Sequence, residues 1–324
     1  MGHYVGVDLG ATNVRAVVAD ETGETVGRAD ESTPRGPTGI AVTEAVLSVT
    51  RGACETAGVA PETVDGAGVA AIGPLDLAAG AVIDPANLPN TVNRIPLTGP
   101  LANLLGLPES EVNLHNDADA GVIGQRFHAD RNPDDMVYLT VSTGIGAGVC
   151  ADGAVLSGWD GNAGEVGHLT VDPQGFMTCG CGHDGHWEAY CSGENVPDYA
   201  RELHAESSVG TAMPVDDPEF SASDVFEAAG DDDFAAHVVD RLGRWNAMGV
   251  ANIVHAYAPL VVYVGGAVAL NNPDRVLDPV RERLHDMVMA NVPEIRLTTL
   301  GDDVVVQGAV ASALTGGTGD RARL

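Results

Sequence analysis

Between Ser142 and Glu188 the chain reads STGIGAG, then GNAGEVGH, then CGCGHDGHWE. A glycine-rich turn entered from a strand brings backbone N–H groups close to a ligand, which suits phosphate. Cys179, Cys181 and His186, spaced Cys-x-Cys-x4-His, are sulfur and imidazole donors of the kind that hold a metal. Glu165, three residues before His168, and Glu188 add carboxylates able to grip a polar ligand. Taken in that order, the groups predict a phosphate-transferring enzyme with a metal-stapled substrate site.

Two further glycine turns extend the pattern. Gly10 permits a tight turn after the first strand, Thr12 and Asn13 offer donors to phosphate, and Asp8 could hold Mg²⁺ through water. An ordinary hairpin explains that motif alone equally well. Paired with the turn through Thr143, Gly144 and Gly146, it gives two Thr/Gly turns suited to clamping a triphosphate. Gly265 and Gly266 end an apolar strand and allow close passage of a nucleotide, or simply turn the chain into a helix. Asn116 and Asp117 open a helix, where capping is their plain reading.

These residues must be placed by an alternation of strands and helices. Strands are expected at residues 4–7, 14–19, 25–29, 66–71, 112–115, 136–141, 260–264 and 295–300. Helices are expected at residues 38–57, with Thr38 as N-cap, and at 97–105, 117–126, 195–205, 223–229, 234–258, 279–291 and 307–314. Residues 83–96 read as a connection. Two successive α/β blocks predict two lobes, residues 1–117 and 118–304, with a C-terminal helix at about 305–316 returning to the first lobe. The tail beyond Thr315 reads as frayed.

Composition narrows the partners. The 324 residues carry 46 acidic and 16 basic side chains, every basic one an arginine, for a net charge of -30. That charge opposes nucleic acid and anionic membrane surfaces. Its scatter along the whole chain suggests a salt-adapted cytoplasmic protein. No run approaches the ~18 apolar residues of a membrane span, and the N-terminus reads as a strand without a signal pattern. The five cysteines suggest a reducing compartment: Cys54 and Cys150 read as buried thiols, and Cys179 and Cys181 lie too close in sequence for an easy disulfide.

The chain resembles the ROK family of sugar kinases and sugar-responsive repressors. The resemblance rests on DLGATNVR at residues 8–15, HNDADA at 115–120, the run from STGIGAG through GEVGH to CGCGHDGHWE, and GGAV from Gly265. It implies an α/β, two-lobed actin/hexokinase-like (ribonuclease H-like) fold with a cleft between the lobes. It implies ATP-dependent phosphorylation of a hexose at the 6-hydroxyl, glucose first, with fructose, N-acetylglucosamine and N-acetylmannosamine as alternatives. Asp117 matches the catalytic base, which accepts the hydroxyl proton as the γ-phosphoryl group moves. Gly73, Asn87, Asn116, Glu165, His168 and Glu188 match sugar-contacting positions.

His168, Cys179, Cys181 and position 186 match the family's zinc ligands, although the family usually has cysteine where His186 stands. A Cys2His2 structural zinc remains chemically sound, and Cys191 is a substitute fourth ligand. Implied cofactors are thus ATP, Mg²⁺ and Zn²⁺, with the phosphoryl donor open, and a homodimer is the implied assembly. The family's repressors carry a helix-turn-helix ahead of the sugar domain; a first strand beginning by residue 4 leaves no room for one, and the charge opposes DNA. A non-catalytic sugar sensor would be marked by a lost Asp117 or damaged turns, and neither is seen.

Overall fold

A computed structural model describes residues 2–85, 87–289 and 291–323. In chain order its elements begin with strands β1 (His3–Leu9), β2 (Asn13–Asp20) and β3 (Thr25–Ser32), then helix α1 (Gly39–Ala57) and β4 (Gly66–Ala71). Short strands β5 (Leu75–Asp76), β6 (Ala81–Ile83) and β7 (Arg94–Pro96) precede α2 (Thr98–Leu105), β8 (Val112–Asn116) and α3 (Asp117–His128). There follow β9 (Met136–Val141), β10 (Ile145–Ala151) and β11 (Ala154–Val155), then helices α4 (Glu188–Cys191), α5 (Val196–Glu206), α6 (Ala222–Ala228) and α7 (Asp233–Tyr257). The chain closes with β12 (Val261–Gly265), α8 (Ala267–Asn271), α9 (Pro273–Met287), β13 (Glu294–Leu297) and α10 (Val304–Thr315).

Two compact units form, one of residues 1–134, 148–164 and 303–324, the other of residues 135–147 and 165–302. The first division therefore falls after residue 134, not at 117/118. The physical reason is that α3 packs along α10 so closely that a Cβ on Gly308 would lie 1.8 Å from the Ala120 carbonyl oxygen. That contact keeps α3 with the first unit.

The first unit is built on a sheet of order β3-β2-β1-β4-β8, antiparallel from β3 to β1 and parallel from β1 through β4 to β8. Alternation in β1 sends Val5, Val7 and Leu9 into a core shared with Val42, Val46 and Val49 of α1. The opposite face meets α10, and glycine makes that approach feasible. A Cβ on Gly6 would stand 2.8 Å from the Val310 nitrogen, and one on Gly68 would stand 2.0 Å from the Ala309 carbonyl. Parallel register aligns Leu9 with Ala71 and Ala71 with Asn116, so three strand ends open onto one edge.

In the second unit β12 runs parallel to both β9 and β13, within a sheet of order β11-β10-β9-β12-β13. The unit boundary falls inside β10. The buried face of α7, including Val238, Leu242, Trp245 and Val250, forms much of this unit's core.

Several expectations are corrected. The stretch read as a connection holds the small antiparallel sheet β5-β6-β7. Helix α9 starts at Pro273 and runs through Pro279, whose ring is accommodated by Gly243 on α7. Residues beyond Met287 do not extend it. Thr38 occupies the N-cap position of α1 without a side-chain cap bond. The C-terminal tail is held rather than frayed: buried Arg126 donates to the carbonyls of Pro133, Gly153 and Thr318, and Asn132 donates to the Gly319 carbonyl.

Candidate functional site

The first unit's candidate residues gather at the shared strand edge. Asp8, Gly10, Thr12 and Asn13 lie at the β1–β2 turn, which closes through Gly10 N–H donating to the Asn13 carbonyl at 3.0 Å. Thr33, just beyond β3, pins the turn, its hydroxyl donating to the Gly10 carbonyl at 2.7 Å. Thr12 and Asn13 are exposed. Gly73 follows β4 at the same edge, where a Cβ would meet no protein atom within 4 Å. Asn87 is exposed on the loop between β6 and β7.

Asp117 is the first residue of α3. Asn116 provides the cap, its side chain accepting from Asp119 N–H at 2.6 Å, so the capping role falls to Asn116 and not to the aspartate. One Asp117 carboxylate oxygen accepts the Ala118 N–H at 2.8 Å. The Asp117 side chain reaches solvent, yet desolvation by the surrounding protein pushes its pKa up, against the backbone N–H groups of Ala118 and Asp117, which lower it. Asp8 is raised to about 6, first by burial and further by the nearby Asp117 and Asp303 carboxylates; the Arg15 guanidinium pulls it back down. Arg15 Nε lies 3.2 Å from Asp8 Oδ2, and its Nη1 lies 3.5 Å from Asp303. His115 is held neutral, lowered to about 4 by burial, and its Nε2 bonds the Ser312 hydroxyl of α10 at 2.8 Å.

The second unit groups its candidates around another turn. Gly265 is paired with Thr140, just ahead of the turn that carries Thr143 and Gly144, and Gly146 stands at the start of β10 beyond it. Gly266 there takes a left-handed φ of 86°, and its missing side chain leaves room for the Val141 carbonyl. Ser142 N–H donates to the Gly144 carbonyl, and Gly193 N–H donates to the Ser142 carbonyl at 2.7 Å. Glu188 joins the turn directly: its Oε2 accepts the Ile145 N–H at 2.8 Å. Trp187, fully buried and bonded through Nε1 to Asn246, anchors the start of α4 beside Glu188.

The donor atoms of His168, Cys179, Cys181 and His186 all lie within 4.8 Å of one another. His168 Nδ1 is 3.7 Å from the Cys179 sulfur, and His186 Nδ1 is 3.2 Å from the Cys181 sulfur. Around a tetrahedral zinc, with Zn–S of ~2.3 Å and Zn–N of ~2.0 Å, such edges would be about 3.6 Å, so this donor set fits the metal. Cys191 does not join it. Its sulfur is buried and sits 3.5 Å from the Leu242 carbonyl oxygen, in the core. Imidazole orientation gives His168 two faces: Nδ1 meets the sulfur, and Nε2 lies 3.9 Å from Glu165 Oε2.

A profile of the ROK family matches residues 4–315. The chain belongs to the ROK family. A glucokinase of Pyrobaculum calidifontis is 36% identical over 319 residues, spanning 97% of this chain and 95% of that protein. The ROK hexokinase structure from Thermus thermophilus has a TM-score of 0.80 at 31% identity, covering 95% of this chain and 97% of that one. The Streptomyces griseus ROK glucokinase, solved with glucose and AMPPNP, has a TM-score of 0.73 at 30% identity, covering 95% and 98%. With ROK membership comes the two-lobed actin/hexokinase-like α/β fold.

Sequence reasoning assigned Arg15 no role, although it lies within the DLGATNVR motif. The signal was available, because a tight turn between two strands sets Asp8 opposite Arg15 in the antiparallel register. Asp303 was not legible, since it reaches Arg15 from the far end of the chain.

Proposed function

We propose that this ROK protein is an ATP-dependent sugar kinase that phosphorylates glucose at its 6-hydroxyl. The observation that carries the reading is Asp117, a solvent-accessible carboxylate at the first turn of a helix and at the same strand edge as a phosphate-type turn. One oxygen accepts a backbone N–H, and the other is the one to receive the proton of a sugar hydroxyl. The raised pKa makes the ionised carboxylate a stronger base than an ordinary aspartate. The helix N-terminus helps the base stay ionised.

Phosphoryl transfer requires mostly positioning and charge neutralisation. Thr12, Asn13, Thr143 and the backbone of Gly10, Gly144 and Gly146 would bind phosphate, and Gly265 and Gly266 would let the nucleotide pass. Asp8 would hold Mg²⁺ through water, and Arg15 keeps that carboxylate aimed. Glu165, His168, Glu188, Asn87 and Asn116 would bind sugar hydroxyls, each of which can donate and accept. Zinc, held by His168, Cys179, Cys181 and His186, would supply a structural tie between the chain segments bearing Glu165 and Glu188.

The test is a coupled assay in molar KCl with Mg-ATP, offering glucose, fructose, mannose, N-acetylglucosamine and N-acetylmannosamine in parallel. Selective turnover of glucose is expected. Preference for an amino sugar would move the substrate, and no turnover on any sugar would overturn the reading. We further infer a homodimer and adaptation to high salt. Support for the latter is a net charge of -30 with no lysine.

A further inference from the structure

The segment between His168 and Cys179 is fastened to α4 by a buried pair that the reaction itself does not use. Asp172 accepts Gln174 N–H at 3.0 Å on Oδ1, and Phe176 N–H at 3.0 Å on Oδ2. The Tyr190 hydroxyl donates to the same Oδ2 at 2.7 Å and accepts the Met177 N–H at 3.0 Å. Both side chains are buried. Burial raises the Asp172 pKa, but the Phe176 N–H, the Tyr190 hydroxyl and the Gln174 N–H lower it further, so the carboxyl titrates below the ordinary value.

The surrounding contacts give the pair leverage. Tyr190 is two residues beyond Glu188, and Met177 is two residues before Cys179. Gly185 closes the knuckle, its carbonyl accepting Val171 and Asp172 N–H and its own N–H donating to the Met177 carbonyl. Tyr190 is in turn wedged edge-on against Tyr199 and lies 5.0 Å from Trp245, so its ring has little freedom.

We propose that Asp172 and Tyr190 are positioning residues: they latch the Cys179 segment onto the helix bearing Glu188 and so close the ligand knuckle before any metal binds. The latch sets the placement of Glu188 for the sugar, and in that respect rests on the sugar-kinase reading. It acts through the loop, touching neither substrate nor metal.

Tyr190→Phe removes the hydroxyl and keeps the ring. In metal-free protein, alkylation of Cys179 followed by mass spectrometry reads opening of the loop, with buried Cys191 as reference in the same unit. Loss of a hydrogen bond to an ionised carboxylate should speed Cys179 labelling by about tenfold and leave Cys191 unchanged. In the metal-loaded enzyme the sugar KM should rise while the nucleotide KM holds. Asp172→Asn should do the same, and Tyr199→Phe, which loses bonds from Arg241 and Trp245 instead, should not. Unchanged Cys179 labelling, or Cys179 and Cys191 rising together, would overturn the latch. A wild-type enzyme without turnover on any sugar would remove the kinase reading, and the alkylation arm would still decide the latch.

Discussion

Replacing Arg15 with methionine should move the acid limb of the enzyme's pH profile toward alkaline pH. The guanidinium lies 3.2 Å from Asp8, where an ion pair at an effective dielectric of ~20 is worth about 5 kcal/mol before screening. Arg15 also serves Asp303, and its side chain is 26% exposed, so only part of that acts on Asp8. A retained quarter, ~1.3 kcal/mol, corresponds to about one pKa unit. Asp8 already stands at about 6 because burial and the Asp117 carboxylate oppose its charge. Loss of Arg15 leaves those forces less opposed, so ionisation requires a higher pH.

The assay is kcat/KM for ATP at saturating sugar from pH 5 to 9, wild type beside variant, so that nucleotide ionisation is common to both. The limb belongs to the Asp8–Asp117 pair jointly. Stability gives a second readout with a definite sign. A carboxyl raised in the folded state binds more protons folded than unfolded, so the fold loses stability as pH rises toward its folded pKa. The variant's Tm deficit should therefore grow between pH 5 and 8. A limb that stays put or moves to acid pH would refute the reasoning.

Two further outcomes follow from packing and charge. Gly308→Ala places a methyl against the Ala120 carbonyl and must part α3 from α10, which at roughly 1–3 kcal/mol should lower Tm by several degrees. Because α3 carries Asp117, kcat should fall with it; wild-type Tm and kcat would contradict the packing account. Chemical denaturation at rising KCl should show midpoints that climb from low to molar salt, as screening relieves the charge of -30. Salt-independent midpoints would remove the salt-adaptation proposal.

The sequence made the chemistry more legible than the scaffold. His168, Cys179, Cys181 and His186 are close in sequence, and the structure brings their donor atoms together. Long elements such as α1 and α7 show strong periodicity, and their ends fall near the expected positions. Strands β5 to β7 have two or three residues each, too few for alternation to register. The membership of α3 in the first unit depends on Ala120 meeting Gly308, a contact between residues far apart in the chain. Arg126 hides likewise: an arginine reads as surface charge until its carbonyl partners in the tail are known. In the sequence Asp172 is one carboxylate among 46 acidic residues, and only its contact with Tyr190 gives it a role.

The central claim is that Asp117 takes the proton from the sugar hydroxyl. Asp117→Asn, assayed for kcat alongside calorimetric binding of glucose and of Mg-ATP, tests it most directly. The account predicts near-wild-type binding of both ligands and a kcat lower by ~10²–10⁴-fold. Turnover within tenfold of wild type, with binding intact, would contradict it.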